Sequence, residues 1–203
     1  MLTPAVLEAY DGSAPPREAT ATATFGLGCF WGPDAQFGAM EGVVRTRVGY
    51  AGGTEPEPTY YDLGDHTEVV QIDHDPSVVS YRDLVRVAFR SHDLDRRVEE
   101  PQYQSVVLTT GDQRAAVDDV LAERGRDVTD VATRVEPLSS FTPAESYHQK
   151  HALRSGTVPD AVESYGDRRL RESPAAAKLN GHARGYELPG DDLDVALTRR
   201  ADD

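Results

Sequence analysis

Ala21-Thr22-Ala23-Thr24-Phe25-Gly26-Leu27-Gly28-Cys29-Phe30-Trp31-Gly32-Pro33-Asp34 is the stretch on which the fold turns. Ala21, Ala23 and Phe25 alternate with threonines at period two, as a half-buried strand requires. Pro33 and Asp34 then read as the first turn of a short helix that ends near Met40. Cys29 falls at the junction between the two. A helix N-terminus offers unpaired N–H groups and partial positive charge, so this position predicts a thiol pKa below the ordinary value. Cys29 is the only cysteine of the 203 residues. A buried core cysteine is the plain alternative; the flanking glycines and the Phe30-Trp31 pair favour a nucleophile beside a small apolar pocket.

Working outward, Val44, Thr46 and Val48 alternate with Arg45 and Arg47 in a second strand, which stops at Tyr50-Ala51-Gly52-Gly53. Glu68 to Asp73 is a third strand. Ser80-Tyr81-Arg82-Asp83 is a capping-box pattern ahead of Leu84, Val87 and Ala88 at helical spacing. Gln104–Thr109 is strand-like, Ala116 to Leu121 is a helix closed by Gly125, and Val131–Val135 is one more strand. Thr142-Pro143-Ala144-Glu145 predicts a helix carrying Tyr147, His148 and His151. The order strand, helix, strand, strand, helix, strand predicts an α+β fold, a two-layer sandwich with a ferredoxin-like split βαβ core. Asp11 to Pro16 is rich in breakers and the chain from about Gly156 is polar and proline-interrupted, which divides it into a leader (1–20), a main domain (21–155) and a largely irregular C-terminal extension (156–203) with a short helix near Ala175–Leu179 and an acidic tail.

The chain has 35 acidic residues against 21 basic ones, a net charge of −14. That field repels nucleic acid and anionic membrane, so neither is expected as a partner. Lys150 and Lys178 are the only lysines, and aspartate outnumbers glutamate; such a surface suits high intracellular salt, and a GC-rich genome explains the same composition. A lone cysteine fits a reducing compartment. With no signal sequence and no apolar run of membrane-spanning length, the expected location is the cytoplasm, the expected state a monomer. The histidines lack ligand spacing such as His-Glu-x-x-His, and Cys29 has no thiol partner, so no metal site is expected.

Gly28-Cys29-Phe30-Trp31-Gly32, Gly49-Tyr50-Ala51-Gly52-Gly53, Pro58-Thr59-Tyr60, His66-Thr67-Glu68-Val69-Val70, His92-Asp93, Gln102-Tyr103 and Tyr147-His148-Gln149 follow one another in the order found in A-type peptide methionine sulfoxide reductases. The chain resembles that family from about Ala21 to Leu153, and Ala175–Gly181 is similar to the C-terminal segment of its longer members. The chemistry fits these residue types: a sulfoxide sulfur is a poor electrophile until its oxygen is protonated, so its reduction needs a thiolate on one side and an acid on the other. The resemblance implies that Cys29 is the nucleophile and Glu68 the acid. It further implies that Tyr60 and Tyr103 are phenolic donors to the sulfoxide oxygen, and that Phe30 and Trp31 form a pocket for the S-methyl group, selecting the S epimer.

Oxygen transfer would leave Cys29 as a sulfenic acid. Many family members resolve it with a second cysteine, which this chain lacks. No bound cofactor is implied; the reductant would be an external thiol or dithiol, a small thiol or a thioredoxin- or glutaredoxin-like protein, and the substrate oxidised proteins or free methionine sulfoxide. Two departures stand out. The loop Leu94–Pro101 is short, with Val98 where relatives carry an aspartate, leaving Asp95, Glu99 and Glu100 as possible substitutes; and Asp65 replaces a glycine before His66. Two other functions can be built from the same residues: a cysteine hydrolase with a histidine base, and a non-catalytic module that binds methionine sulfoxide.

Overall fold

The computed structural model describes residues 2–155 and 165–188, with the single positions 162 and 193. Strand β1 (Ala21–Leu27) leads into α2 (Trp31–Ala39), the hairpin strands β2 (Val43–Ala51) and β3 (Thr67–His74), helix α3 (Tyr81–Arg90), β4 (Ser105–Thr109) and α4 (Gln113–Ala122). Two short strands, β5 (Arg134–Pro137) and β6 (Phe141–Pro143), and helix α5 (His151–Ser155) follow. Helix α1 (Pro4–Ser13) precedes the sheet, and α6 (Asp167–Glu172) and α7 (Pro174–Ala183) lie C-terminal to it.

The sheet order is β5-β4-β1-β3-β2-β6. β3 pairs antiparallel with both β1 and β2, and β1 pairs antiparallel with β4. β1 and β2 are therefore parallel, joined through α2 with β3 between them, and the four inner strands form the expected split βαβ arrangement. Pleating sorts the side chains. Ala23 and Phe25 of β1, Val70 and Ile72 of β3 and Val107 of β4 face Leu84, Val85, Ala88 and Phe89 of α3 and Val117, Val120 and Leu121 of α4, all buried. Phe25 stacks with Phe37 at 5.6 Å and with Tyr81 at 6.2 Å. On the opposite face Arg47 takes Asp73 in a two-pronged pair at 2.6 and 3.0 Å and donates to Gln71 at 2.8 Å.

Several sequence expectations shift. The Ser80–Asp83 capping box forms as read. Helix α2, however, starts at Trp31, two residues ahead of Pro33, because the helix needs no N–H at its first positions and accepts Pro33 inside the first turn. Thr142-Pro143 does not open a helix. Phe141–Pro143 instead pairs with Gly49–Ala51 as the edge strand β6, where a proline costs no ladder bond, and Tyr147–His148 lies in a single 3-10 turn. Lys150 takes a left-handed conformation (φ 55°) before α5 begins, so His148 and His151 do not share a helical face. In the segment read as a leader, α1 buries Leu7 fully in a second cluster with Leu153, Leu170, Ala175, Ala176 and Leu179, separate from the core between sheet and helices. The acidic tail beyond Leu188 lies outside the described residues apart from the buried Leu193.

The two clusters meet at a buried polar hub. Asp34 of α2, fully buried, accepts from Thr46 Oγ1 at 2.5 Å, from Lys150 Nζ at 3.0 Å, from the Lys150 N–H at 3.2 Å and from Asn180 Nδ2 at 3.1 Å. Lys150 Nζ also donates to the Thr46 carbonyl at 2.6 Å. Burial pulls the Lys150 amine below its ordinary pKa while the Asp34 charge opposes that pull. Removing one partner leaves the other charge buried and unpaired. Urea denaturation of Lys150→Met is expected to show a loss of about 3–5 kcal/mol, and Asp34→Asn/Lys150→Met is expected to recover most of it. Equal loss in single and double variants would mean that packing, and not the charge pair, holds this junction.

Candidate active site

Gly28 makes the turn from β1 to α2 at φ 80°, a left-handed conformation in which a Cβ would be strained. Cys29 follows as an exposed thiol, and Phe30 caps α2 with its own side chain buried. The Phe30 N–H, one of the donors a helix start leaves free, is directed at Glu68 Oε2 at 3.1 Å. Glu68, from β3, is only 2% exposed. Its other oxygen accepts from Gln102 Nε2 at 2.7 Å. Burial pushes the Glu68 carboxyl above its ordinary pKa against the pull of these two bonds, and the Glu100 charge adds to the rise.

The thiol departs from the sequence expectation. Burial pushes Cys29 above its ordinary pKa, the Trp31 N–H pulls it down, the Glu68 charge raises it and the Arg184 charge lowers it. The helix N-terminus acts in the expected direction and is outweighed. Tyr103, in the turn Pro101–Tyr103, is pushed up to about 12 by burial and by the charges of Glu68, Tyr60 and Cys29. Cys29 and Tyr103 each feel the Glu68 charge, and Tyr103 also feels Tyr60 and Cys29, so these four side chains lie near one another.

Glu145 anchors the loop that carries Tyr60. One oxygen accepts from the Tyr60 N–H at 2.9 Å, the other from the Tyr50 hydroxyl at 2.7 Å. Burial would raise its pKa, but these bonds hold Glu145 below the usual carboxylate value. Behind it an aromatic wall closes the site. Trp31 stacks flat on His151 at 3.6 Å and 10°, and its Nε1–H donates to His148 Nδ1 at 3.3 Å. That bond assigns the hydrogen of a neutral His148 to Nε2, and burial keeps the ring neutral by lowering its pKa. The rings of Phe30 and Tyr60 lie 5.2 and 4.8 Å from His148. Phe30 and Trp31 thus both pack around the His148 ring, in one cluster with Tyr50 and Tyr60.

Sequence reading passes over Glu145, which it treats only as part of a helix cap, and over Gln102 as a partner of Glu68. A glutamate two residues past an edge strand carries no signal of its own; only the fold brings it 85 residues back to Tyr60. The two departures from the family pattern have these surroundings. Asp65 accepts from the N–H groups of Thr54 and Glu55 at 2.7 and 3.2 Å and so staples the loop before Glu68; these bonds hold its pKa down at about 2. In the short loop, Asp95 is paired with Arg126, whereas the Glu100 charge reaches both Glu68 and Tyr103. His66 Nε2 bonds the Glu55 carbonyl at 2.8 Å. Among the described residues no group of three or more His, Cys, Asp or Glu side chains is arranged to hold a metal ion, and no helix is long and apolar enough to cross a membrane.

The family model described as peptide methionine sulfoxide reductase matches residues 21–173. A peptide methionine sulfoxide reductase of Drosophila melanogaster is 39% identical over 169 residues, covering 81% of this chain and 69% of its own. The peptide methionine sulfoxide reductase MsrA of Methanothermobacter thermautotrophicus is 44% identical over 142 residues, covering 64% and 84%. Among solved structures, methionine sulfoxide reductase A of Corynebacterium diphtheriae superposes with a TM-score of 0.57 at 31% identity, over 70% of this chain and 77% of that one. The cysteine turn, the carboxylate behind it and these likenesses agree, and the chain belongs to the peptide methionine sulfoxide reductase family, in its A type.

Proposed function

We propose that this chain reduces methionine S-sulfoxide, in proteins or free, to methionine, with Cys29 as nucleophile and Glu68 as acid. The observation that carries the proposal is a buried carboxyl with a raised pKa, held by the Phe30 N–H in the same turn as an exposed thiol. The Cys29 thiolate attacks the sulfoxide sulfur, Glu68 protonates the departing oxygen, and the oxygen passes to Cys29 as the S–O bond of the substrate breaks. Methionine leaves and Cys29 remains as a sulfenic acid. Tyr60 and Tyr103 donate to the oxygen as negative charge builds on it, and Phe30 and Trp31 seat the S-methyl group.

A protonated Glu68 with a Cys29 thiolate has the same proton count as a carboxylate with a thiol, so the pair titrates as a unit. The second half of the cycle belongs to an external thiol or dithiol of thioredoxin or glutaredoxin type. A first thiol displaces water from the sulfenic acid to form a mixed disulfide; a second releases the Cys29 thiol and an oxidised disulfide. A hydrolase would need a histidine on the sulfur. His148 spends its Nδ1 on Trp31, which disfavours that reading.

Turnover of the separated S and R epimers of a blocked methionine sulfoxide with dithiothreitol tests the proposal. The S epimer alone is expected to react. Cys29→Ser should abolish reduction, Glu68→Gln should lower kcat by about 10²–10⁴-fold, and Tyr60→Phe/Tyr103→Phe by about 10²-fold or more. Reduction of both epimers, or full activity in Glu68→Gln, would refute these roles.

A pH series of Cys29 alkylation by iodoacetamide checks the electrostatics. Burial and the Glu68 charge both raise the thiol, so the midpoint should lie above that of an ordinary thiol. Glu68→Gln removes the like charge and should move the midpoint down; an upward or absent shift would count against the coupling.

A further inference from the structure

Trp31 is the only tryptophan of the chain, and two histidines hold its indole. His151 lies flat on one face at 3.6 Å, and His148 Nδ1 accepts from the indole Nε1–H at 3.3 Å. A stacked neighbour still lets a ring turn in its own plane; a directional hydrogen bond removes that freedom. His148 is itself held in place. Gln149 fastens its turn to β2: Oε1 accepts from the Val48 N–H at 3.0 Å, and Nε2 donates to the Val48 and Ala144 carbonyls at 2.8 and 2.9 Å. The His148 ring is only 3% exposed and packs among Phe30, Tyr60 and Tyr147.

This bond depends on a lone pair. An indole N–H only donates, so Nδ1 of His148 serves Trp31 only while it carries no hydrogen. The opposite nitrogen, Nε2, is buried with no hydrogen-bond partner among the described residues and lies 3.9 Å from Glu145 Oε2. A second proton on the ring would set an N–H against the indole N–H and draw the cation toward Glu145. The titratable groups facing the ring are Glu145, His151, Tyr60 and Tyr147. The Glu145 carboxylate, held below its usual pKa, favours the cation; burial and the His151 charge oppose it, burial most strongly.

We infer that neutral His148 is the positioning residue that sets Trp31 against the S-methyl group, and that protonation of His148 releases the indole and relaxes the selection for methyl on the sulfoxide sulfur. The inference deepens the proposed function and rests on Trp31 seating that methyl group.

Selectivity is read as the ratio of kcat/KM for blocked methionine S-sulfoxide over blocked ethionine S-sulfoxide, in which the titration of Cys29 and Glu68 cancels at any one pH. One added methylene in a fitted apolar pocket changes kcat/KM about tenfold or more. The wild-type ratio should fall most of that way as the pH is lowered from about 8 to about 5. His148→Leu, with no acceptor, should show the low ratio at every pH. His148→Asn, whose Oδ1 takes the place of Nδ1 and does not titrate, should hold the high ratio flat. With folding verified by circular dichroism, a wild-type ratio that does not fall, a full ratio in His148→Leu, or an equal loss in His148→Asn would overturn the inference.

The lone indole gives a second readout that needs no turnover. In His151→Phe, where the stacked ring cannot titrate, Trp31 fluorescence should change through one protonation step with a midpoint below that of an ordinary histidine. Adding His148→Asn should abolish the step; a step in both variants, or in neither, would count against the coupling. If the wild type reduces no sulfoxide while the emission step follows His148, the reductase reading falls and the hold of His148 on Trp31 stands. If the S-sulfoxide is reduced with a ratio blind to His148, the inference falls and the reductase reading stands.

Discussion

Asp34 is the point on which the rest of this structure bears. It sits inside the first turn of α2, three residues after Trp31, and its two oxygens take four hydrogen bonds from β2, from the turn before α5 and from α7. A carboxylate without solvent is unfavourable unless its lone pairs are filled, and here the four donors come from three different parts of the chain. The cost of leaving any one of them unmade sets the angle of α2 relative to the sheet. Cys29, Phe30 and Trp31 inherit that angle, because they lie between the end of β1 and the turn that Asp34 fixes. Asn180 extends the constraint: its Oδ1 accepts from the Leu153 N–H at 3.1 Å while its Nδ2 binds Asp34. The C-terminal helix is thereby tied to the same carboxylate as the cysteine turn, although 146 residues separate Asp34 from Asn180.

The sheet supplies the second coordinate. Glu68 falls on the helix-facing side of β3 in the same alternation as Val70 and Ile72. At the end of the strand, beyond the last large apolar side chain, that face meets the N-terminus of α2. A carboxylate there has a waiting donor in the Phe30 N–H and is still far enough inside to be desolvated. Strand periodicity, helix polarity and the split βαβ connection together account for a buried acid beside an exposed thiol.

Much of this is legible in the sequence, and what escapes it does so for physical reasons. Period-two alternation at Ala21–Phe25 and in Val44–Val48 reads correctly because those strands bury one face and local pattern equals environment. The cysteine turn and its partner Glu68 are legible through motif order. Thr142–Glu145 misleads because a capping box and an edge strand with proline share a composition, and only the pairing of β6 with β2 decides between them. The role of Glu145, the bond from Gln102 to Glu68 and the Lys150–Asp34 pair are invisible in advance: each works through a partner 34 to 116 residues away, and no local signal marks a side chain whose environment is assembled by tertiary contact. Lys150 is a clear case. No local signal marks it for the interior, yet it is fully buried with its amine held by Asp34 and the Thr46 carbonyl.

The direction of the Cys29 shift bears on how a chain with a single cysteine would cycle. A thiol held largely as thiolate is open to oxidation along the whole ladder from sulfenic to sulfonic acid, and this chain has no second cysteine to trap the first step. Burial and the Glu68 charge keep the resting thiol protonated instead. On the proposed chemistry the proton leaves only when a sulfoxide oxygen is present to receive it, by way of a carboxyl whose own pKa is raised by the same desolvation. The two raised values are then one device: each group alone is a poor reagent, and together they hold a single mobile proton between an attacking sulfur and a departing oxygen. On the proposed chemistry their coupling would make the reactivity conditional on the substrate, as suits a single cysteine regenerated by an external thiol.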